Sequence, residues 1–402
     1  MPTGHVTELT SAAPDFFADP YSAYRKIGAD GPVRQLRMPG GETVWMVFGY
    51  DTVRTALADP RLCNDSRHSA AYREDDSAVG RNMLKADPPD HTRLRTLVSR
   101  QFTARRIGKL RSRIEEISAE LLDAVASSGR TDLVSAYAIP LPITAICELL
   151  GVPAADRETF LGWSNKLVDV TGPEAAAAAG AAAAAMTEYL TGLIEEKRRR
   201  AAGADADLLH VLARAQDEDN DRLSPDELLG MAFLLLVAGH ETTVNLISSA
   251  VHLLLQNPDQ LAALRADPGL LDGTIEETLR YEPPIQVAAY RYTSEPITLA
   301  GTAIPQGERV VLSLASANRD AAYFPDPDRF DIHRDLTANR AQLAFSHGIH
   351  YCLGAQLARL EAVVALTDLL KRFPGLALDE AAAAPEWRPS LLRGLRTLPV
   401  CW

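Results

Sequence analysis

The sequence predicts a mainly α fold with small β-sheets, and three observations carry that reading. Apolar residues from Asp51 to about Ala266 recur mostly three and four apart, the period of a helix. β-rich patches are confined to 33–48, 296–312 and a C-terminal tail. One stretch, 224–256, is apolar on nearly every face, as a buried helix would be.

The elements follow in chain order. "DPYSAYRKIGADGP" (19–32) predicts a short helix ended by Gly and Pro, and "VRQLRMPGGETVWMVF" (33–48) two strands around a Gly-Gly turn. The long helical region includes the run "GPEAAAAAGAAAAAMTEYLTGLIEEKRRR" (172–200). Alanine is the best helix former and the run ends in basic residues that suit a helix C-terminus, so it predicts an ordinary surface helix. "PITLAGTAIPQGERVVL" (296–312) is a second β patch, followed by an irregular Pro- and Asp-rich stretch at 317–335. Helical periodicity returns after Cys352 and lasts until Pro374. No repeat and no composition break marks a linker. We expect one domain over 1–402, with β-containing parts at about 1–60 and 285–345 plus the tail, and α-rich parts at about 61–284 and 352–373.

Composition narrows the function. A chain of 402 residues with 47% hydrophobic and 23% charged residues has the content of a soluble globular protein. Its net charge of -12 argues against nucleic acid or an anionic membrane as the main partner. The four cysteines, Cys63, Cys147, Cys352 and Cys401, lie far apart and follow no framework spacing, which fits a reducing compartment. The N-terminus has no apolar signal core, and no uninterrupted run of about 18 apolar residues occurs. The expectation is a cytoplasmic protein without a membrane anchor.

The stretch 224–256 carries its own start signals. Ser224 is an N-cap, Pro225 stands at the first helical position and Glu227 completes a capping box. The helix would span about 50 Å. Its middle breaks the rules of a core helix: Gly239, His240, Glu241, Thr242 and Thr243 put a helix breaker, two ionisable groups and two hydroxyls among apolar residues. Gly costs about 1 kcal/mol there, and an unpaired buried carboxylate several. A threonine can bond back to the preceding turn and bend the helix. His240-Glu241 begins like the zinc-protease HExxH, but position 244 is Val, so the second ligand is missing. The alternatives are a helix-bending polar network or a functional site.

"FSHGIHYCLGA" (345–355) is the other irregularity. Cys352 is a buried spare thiol, part of a zinc site, or a thiolate ligand to something larger. For zinc, His347, His350 and Cys352 lack a fourth partner, and the other cysteines offer no paired spacing. A spare thiol explains neither Gly348 nor Gly354. A haem thiolate explains more: glycines let backbone lie against a flat macrocycle and supply positive φ, and the helix that follows aims its amides at the sulfur. His350 could reach a haem carboxylate.

Here the chain resembles the cytochrome P-450 family. Phe345, Gly348, His350, Cys352 and Gly354 match the family's cysteine signature, with Ser346 standing where glycine is common. "AGHETT" (238–243) is similar to the oxygen-activating segment of the long central helix. "ETLR", carried by Glu277 and Arg280, with "ANRD" and "DPDRFD" downstream, resembles the structural core behind the haem. "DPPDHTRLR" (87–95) places His91 and Arg95 where the family binds a haem propionate, four residues apart and so on one helix face. Arg291 stands where another propionate-binding arginine is found. Read alone, Glu277/Arg280 would be a surface ion pair of little worth, and His91/Arg95 a solvated face.

The resemblance implies the family's fold, an α-rich triangular prism with a long helix across the haem, and haem b (iron protoporphyrin IX) as cofactor with Cys352 as iron ligand. It implies a monooxygenase that inserts one atom of O2 into a substrate, since thiolate ligation favours O–O cleavage. Thr242 would hydrogen-bond the activated oxygen and Glu241 relay protons from solvent. A haem carrier or sensor would need no such relay, and peroxide-using relatives usually lack the acid/threonine pair. The chain has no flavin, P-loop or iron–sulfur motif, so electrons come from a ferredoxin and its NAD(P)H-dependent reductase. "RRIGKLRSR" (105–113) is a docking surface for such a carrier or a plain solvated helix face. The expected state is a monomer.

By position in the family, the substrate pocket includes Met83, Leu84, Val237, Ala238, Val287, Ala288, Ala289 and Leu392. The set is mostly apolar with small alanines, which suits a large hydrophobic molecule. "LLLVAGHETTVNLI" and "HGIHYCLGAQLARLEA" look most like actinobacterial enzymes that hydroxylate macrolides, polyketides and sterol-like compounds. "REDDS" (73–77) is an acidic solvated loop or a site for a cationic sugar.

Overall fold

The computed structural model describes the chain except residues 1–6, 9–15, 17, 39–40, 74–77, 101, 169–173, 200–206, 215–221, 336–340 and 391. The segments form two compact units. One comprises Met1–Asp75, Leu84–Asp87 and Glu276–Cys352, and the other Asp76–Met83, Pro88–Ile275 and Leu353–Trp402.

The first unit is built on a six-stranded sheet in the order Thr7–Glu8, Val33–Arg37, Thr43–Val47, Arg309–Leu312, Arg291–Thr293, Leu62–Cys63. The Gly-Gly hairpin pairs antiparallel from Val33↔Val47 to Arg37↔Thr43. Alternation then divides the core: Val310 and Leu312 join Tyr50, Val53 and Leu57 on one side, while Val311 joins Tyr21, Tyr24 and Met46 on the other. The helices Pro20–Gly28 and Tyr50–Ala58 cover these two sides. The sheet's register sets Arg291 opposite Val310 and Cys63 opposite Tyr292.

Glu277 and Arg280 lie wholly buried in this unit, joined by two hydrogen bonds of 2.7 Å. The guanidinium also donates to the carbonyls of Asn318, Pro327 and Arg329, and Glu277 accepts from the Asp331 N–H at 2.9 Å. Asn318 ends the helix Leu314–Asn318, and the other partners lie in the irregular stretch that follows it. The pair therefore replaces the regular hydrogen bonding that a Pro-rich segment cannot make for itself.

The second unit is helical, and its axis is the helix Pro225–Gln256. Both halves of the capping box form: the Glu227 N–H donates to Ser224 Oγ at 3.2 Å, and the Ser224 N–H donates to Glu227 at 2.8 Å. Glu227 also pairs with Arg93. By length and hydropathy this helix could cross a bilayer, yet 67% of its most apolar window is buried inside the protein. Its glycine at 230 is there for close approach. A Cβ would lie 2.5 Å from the Arg81 carbonyl oxygen and 2.7 Å from that of Ala78. The alanine run forms the helix Ala175–Arg199, which buries Ala182, Met186, Leu190, Leu193 and Ile194 along one stripe.

Two short strands fall inside the region expected to be helical, Leu62–Cys63 and Arg130–Asp132. The second pairs with Pro399–Cys401 near the far end of the chain. Segments of two or three residues carry no period, and their partners are distant, so the apolar spacing cannot reveal them.

Candidate active site

The loop around Cys352 belongs to the first unit and is closed by its own backbone. The Cys352 N–H donates to Phe345 O at 2.9 Å, the Tyr351 N–H to Gly348 O at 3.1 Å and the Ser346 N–H to Leu343 O at 2.8 Å. Two residues take left-handed conformations, Ser346 at φ 65° and Gly348 at φ 75°. At Gly348 a Cβ would also sit 3.0 Å from the Leu57 carbonyl oxygen. The residue must therefore be glycine on both counts. Gly354, by contrast, has an ordinary φ of -81° and caps the helix Ala355–Arg372, so it supplies no positive φ. Cys352 is exposed while Cys63 and Cys147 are buried. His350 ends a short helical turn, Gly348–His350, and His347 precedes it.

Arg291 is the other unusual group of this unit. It is 2% exposed, and its Nη1 donates to the Ala289 carbonyl at 3.0 Å. No ion pair to it occurs among the described residues. Burial pulls its pKa down to about 10, opposed by the nearby Asp87 and Cys63. A guanidinium held out of water without a bound carboxylate is costly, and an anionic ligand would relieve it.

In the second unit the central helix shows one open stripe on an otherwise buried cylinder. Leu234, Val237 and Thr242 are half-buried and Ala238 is exposed, at spacings of three and four. Thr242 Oγ1 donates back to the Ala238 carbonyl at 3.1 Å. The helix is continuous through 239–243, and a Cβ on Gly239 would lie 2.9 Å from the Ile146 side chain, so the glycine also makes room for a neighbour.

Glu241 is 2% exposed, with Oε2 3.5 Å from Arg388 Nη2 and Oε1 3.7 Å from His240 Nε2. His240 Nδ1 lies 2.8 Å from the Leu236 carbonyl, which can only accept, so Nδ1 carries the proton. Burial holds the imidazole below its usual pKa, leaving it neutral at pH 7. Arg388 thus provides the positive charge beside Glu241. His91 and Arg95 share the helix Asp90–Ser99, the first buried and the second half-buried.

Among the expected pocket residues, Met83 is buried and its N–H points at the Met231 sulfur, 3.4 Å away. Leu84 and Ala289 are exposed, and Val237, Val287 and Leu392 are half-buried. Ala288 is instead part of the first unit's core, its N–H bonded to Leu312 O at 2.9 Å. In the basic stretch, Arg113 is committed to Glu148 through two contacts of 2.9 Å, while Arg106, Lys109 and Arg111 are exposed. Of the acidic loop 73–77, residues 74–77 lie outside the described residues.

Two functional candidates escaped sequence reasoning. Arg388 lies far along the chain from Glu241, and nothing local announces it. Glu361 is fully buried on the helix Ala355–Arg372, and burial pushes its carboxyl well above the usual range, the Thr243 hydroxyl opposing. Its signal was available: Leu357, Leu360, Glu361 and Val364 form one helical stripe, with a carboxylate inside it.

Within the first unit the residues present fit a haem: an exposed thiol in a closed loop and a buried cation with no ion pair among the described residues. The cytochrome P450 family model matches residues 164–386. The chain is 51% identical to cytochrome P450 monooxygenase PikC of Streptomyces venezuelae, covering 99% of this chain and 94% of that protein. It is 44% identical to 6-deoxyerythronolide B hydroxylase of Saccharopolyspora erythraea, covering 96% of each. The solved structure of the tirandamycin C-bound monooxygenase TamI superposes with a TM-score of 0.87 at 46% identity, covering 98% of this chain and 99% of that one.

Proposed function

Since this chain belongs to the cytochrome P450 family and is a haem-thiolate monooxygenase, we propose that Cys352 is its iron ligand and that it hydroxylates a bulky hydrophobic natural product of the macrolide or polyketide type. The observation that carries the ligand assignment is the exposure of Cys352 at the end of a loop pinned by its own backbone from Phe345 onward. Haem b held by such a thiolate supplies O–O cleavage and hence insertion of one oxygen atom.

The protein's own groups then divide the work. Arg291, His91, Arg95 and His350 would neutralise the haem carboxylates, which suits the burial of Arg291 with no ion pair among the described residues. Ala238, the exposed residue of the helix stripe, is small enough to leave room for a flat group. Thr242 holds a hydroxyl on the open stripe of the helix, poised to donate a hydrogen bond once it leaves the Ala238 carbonyl. Glu241 is the proton carrier. It is out of water, tethered by Arg388, and it delivers protons by swinging between that partially exposed arginine and the stripe. Glu277 and Arg280 act structurally, by ordering the stretch that leads to the cysteine loop.

The substrate reading rests on the relatives named for 6-deoxyerythronolide B and tirandamycin C, and on the apolar character of Val237, Ala238, Val287 and Leu392. Electrons would come from a ferredoxin and its NAD(P)H-dependent reductase, with the exposed Lys109 on the face offered to an acidic carrier.

The decisive experiment is the spectrum of the reduced protein under carbon monoxide. The strongly red-shifted Soret band of thiolate ligation is expected, and Cys352→Ser should abolish it; a variant that keeps the band overturns the ligand assignment. Titration with macrolides and steroids should move the haem from low to high spin with members of the first class. Silence across both classes would remove the substrate reading and leave the enzyme class standing.

A further inference from the structure

The haem reading leaves one cluster of potential ligands unused. Cys63, His68 and Asp87, all in the first unit, bring a thiol, an imidazole nitrogen and a carboxylate oxygen within 4.8 Å of one another. Cys63 closes the edge strand Leu62–Cys63 and His68 ends the short helical turn Ser66–His68. Asp87 ties the intervening loop down. Its Oδ1 accepts the Asn64 N–H and its Oδ2 the Asp65 N–H, each at 2.9 Å. The amides fix the carboxylate's orientation, while each oxygen keeps a lone pair for another partner. The strand register sets the Cys63 backbone opposite Tyr292, and its thiol donates to the Pro60 carbonyl at 3.6 Å.

We propose that Cys63, His68 and Asp87 form a zinc site with a fourth, open position for water. The ligand set is one sulfur, one nitrogen and one oxygen, which zinc accepts in tetrahedral geometry. Zinc needs its ligand atoms about 3.2–3.8 Å apart, so side-chain movements on the order of 1 Å close the site. His68 is exposed and free to make them, whereas Cys63 and Asp87 are already fixed.

The electrostatics favour a dication. Burial and the neighbouring Asp87 carboxylate push the Cys63 thiol above its ordinary pKa, so without metal it holds its proton. A dication reverses that balance by turning the same carboxylate from a repelling neighbour into a co-ligand. Zinc replaces the thiol proton, which leaves to solvent: thiol plus Zn2+ gives zinc thiolate plus H+. Affinity should therefore rise with pH by one proton. Arg291 lies close enough to both Cys63 and Asp87 to feel their charge, and it sets the cost of an added positive charge.

The test uses the haem-loaded protein, stripped with EDTA and titrated with zinc against a chromophoric chelator. One zinc per chain should bind with a micromolar or tighter Kd, and both Cys63→Ser and His68→Ala should weaken it by at least about tenfold with the Soret band unchanged. Because Cys63 is buried, His68→Ala, at an exposed position, decides the matter if the serine variant does not fold. Absence of micromolar zinc binding, or equal affinity in wild type and His68→Ala, would each overturn the proposal.

Discussion

A single residue, Ser346, holds the least comfortable backbone in the cysteine loop. At φ 65° it occupies the left-handed region without being glycine, which costs an L-residue about 1–2 kcal/mol. Glycine relieves that strain but returns about 0.5–1 kcal/mol through the entropy of the unfolded chain. Ser346→Gly is therefore expected to raise stability modestly, by up to about 1 kcal/mol, seen as a higher denaturant midpoint. A fall in the midpoint would show that the serine hydroxyl compensates for its own backbone. The same scale explains the charge at Glu241. Its neighbour His240 is neutral through burial, so among the described residues Arg388 is the cation that faces the carboxylate, and the proposed proton carrier leans on a side chain from the C-terminal tail.

At the scale of elements, the central helix shows how one glycine serves packing and another position tolerates replacement. Alanine at 230 would gain about 1 kcal/mol of helix propensity. Its Cβ, however, would press on the backbone oxygens of Ala78 and Arg81, at 2.7 and 2.5 Å, and backbone cannot rotate away. Gly230→Ala should lose about 1–3 kcal/mol net, whereas Gly192→Ala, where a Cβ meets nothing within 4 Å on the helix Ala175–Arg199, should gain up to about 1 kcal/mol. Thermal melts of the two variants should move in opposite directions; parallel shifts would reject the close-approach argument. The strand Arg130–Asp132 makes a related point, because it exists only through its pairing with Pro399–Cys401.

At the scale of the whole molecule, Glu361 couples stability to pH. It is fully buried, and its carboxyl is held well above the usual range by desolvation. In the unfolded chain it ionises near 4.5, so as pH rises above that value the unfolded state gains stability that the native state cannot match. The advantage of the protonated native form is complete below about pH 4.5 and is lost as pH climbs towards the raised native pKa. Glu361→Gln should therefore raise Tm at pH 8 and leave it nearly unchanged at pH 4.5. An equal rise at both values would mean that the effect is packing rather than ionisation.

What the sequence alone determined is what acts within a turn or a loop. The capping box at Ser224 and Glu227, the irregular middle of the central helix, the i,i+4 spacing of His91 and Arg95 and the Cys352 loop all depend on neighbours a few residues away, and local spacing expresses them directly. The mainly α fold was legible for the same reason, since apolar period reports which face is buried. Only tertiary structure decided which charges meet. Arg388 reaches Glu241, Thr243 stands against Glu361, Asp87 gathers the loop from Cys63 to His68, and Arg291 is buried without an ion-paired carboxylate among the described residues. Coulomb interaction and desolvation depend on distance and burial in space, and most of these partners lie tens to hundreds of residues apart, where no periodicity in the chain records them.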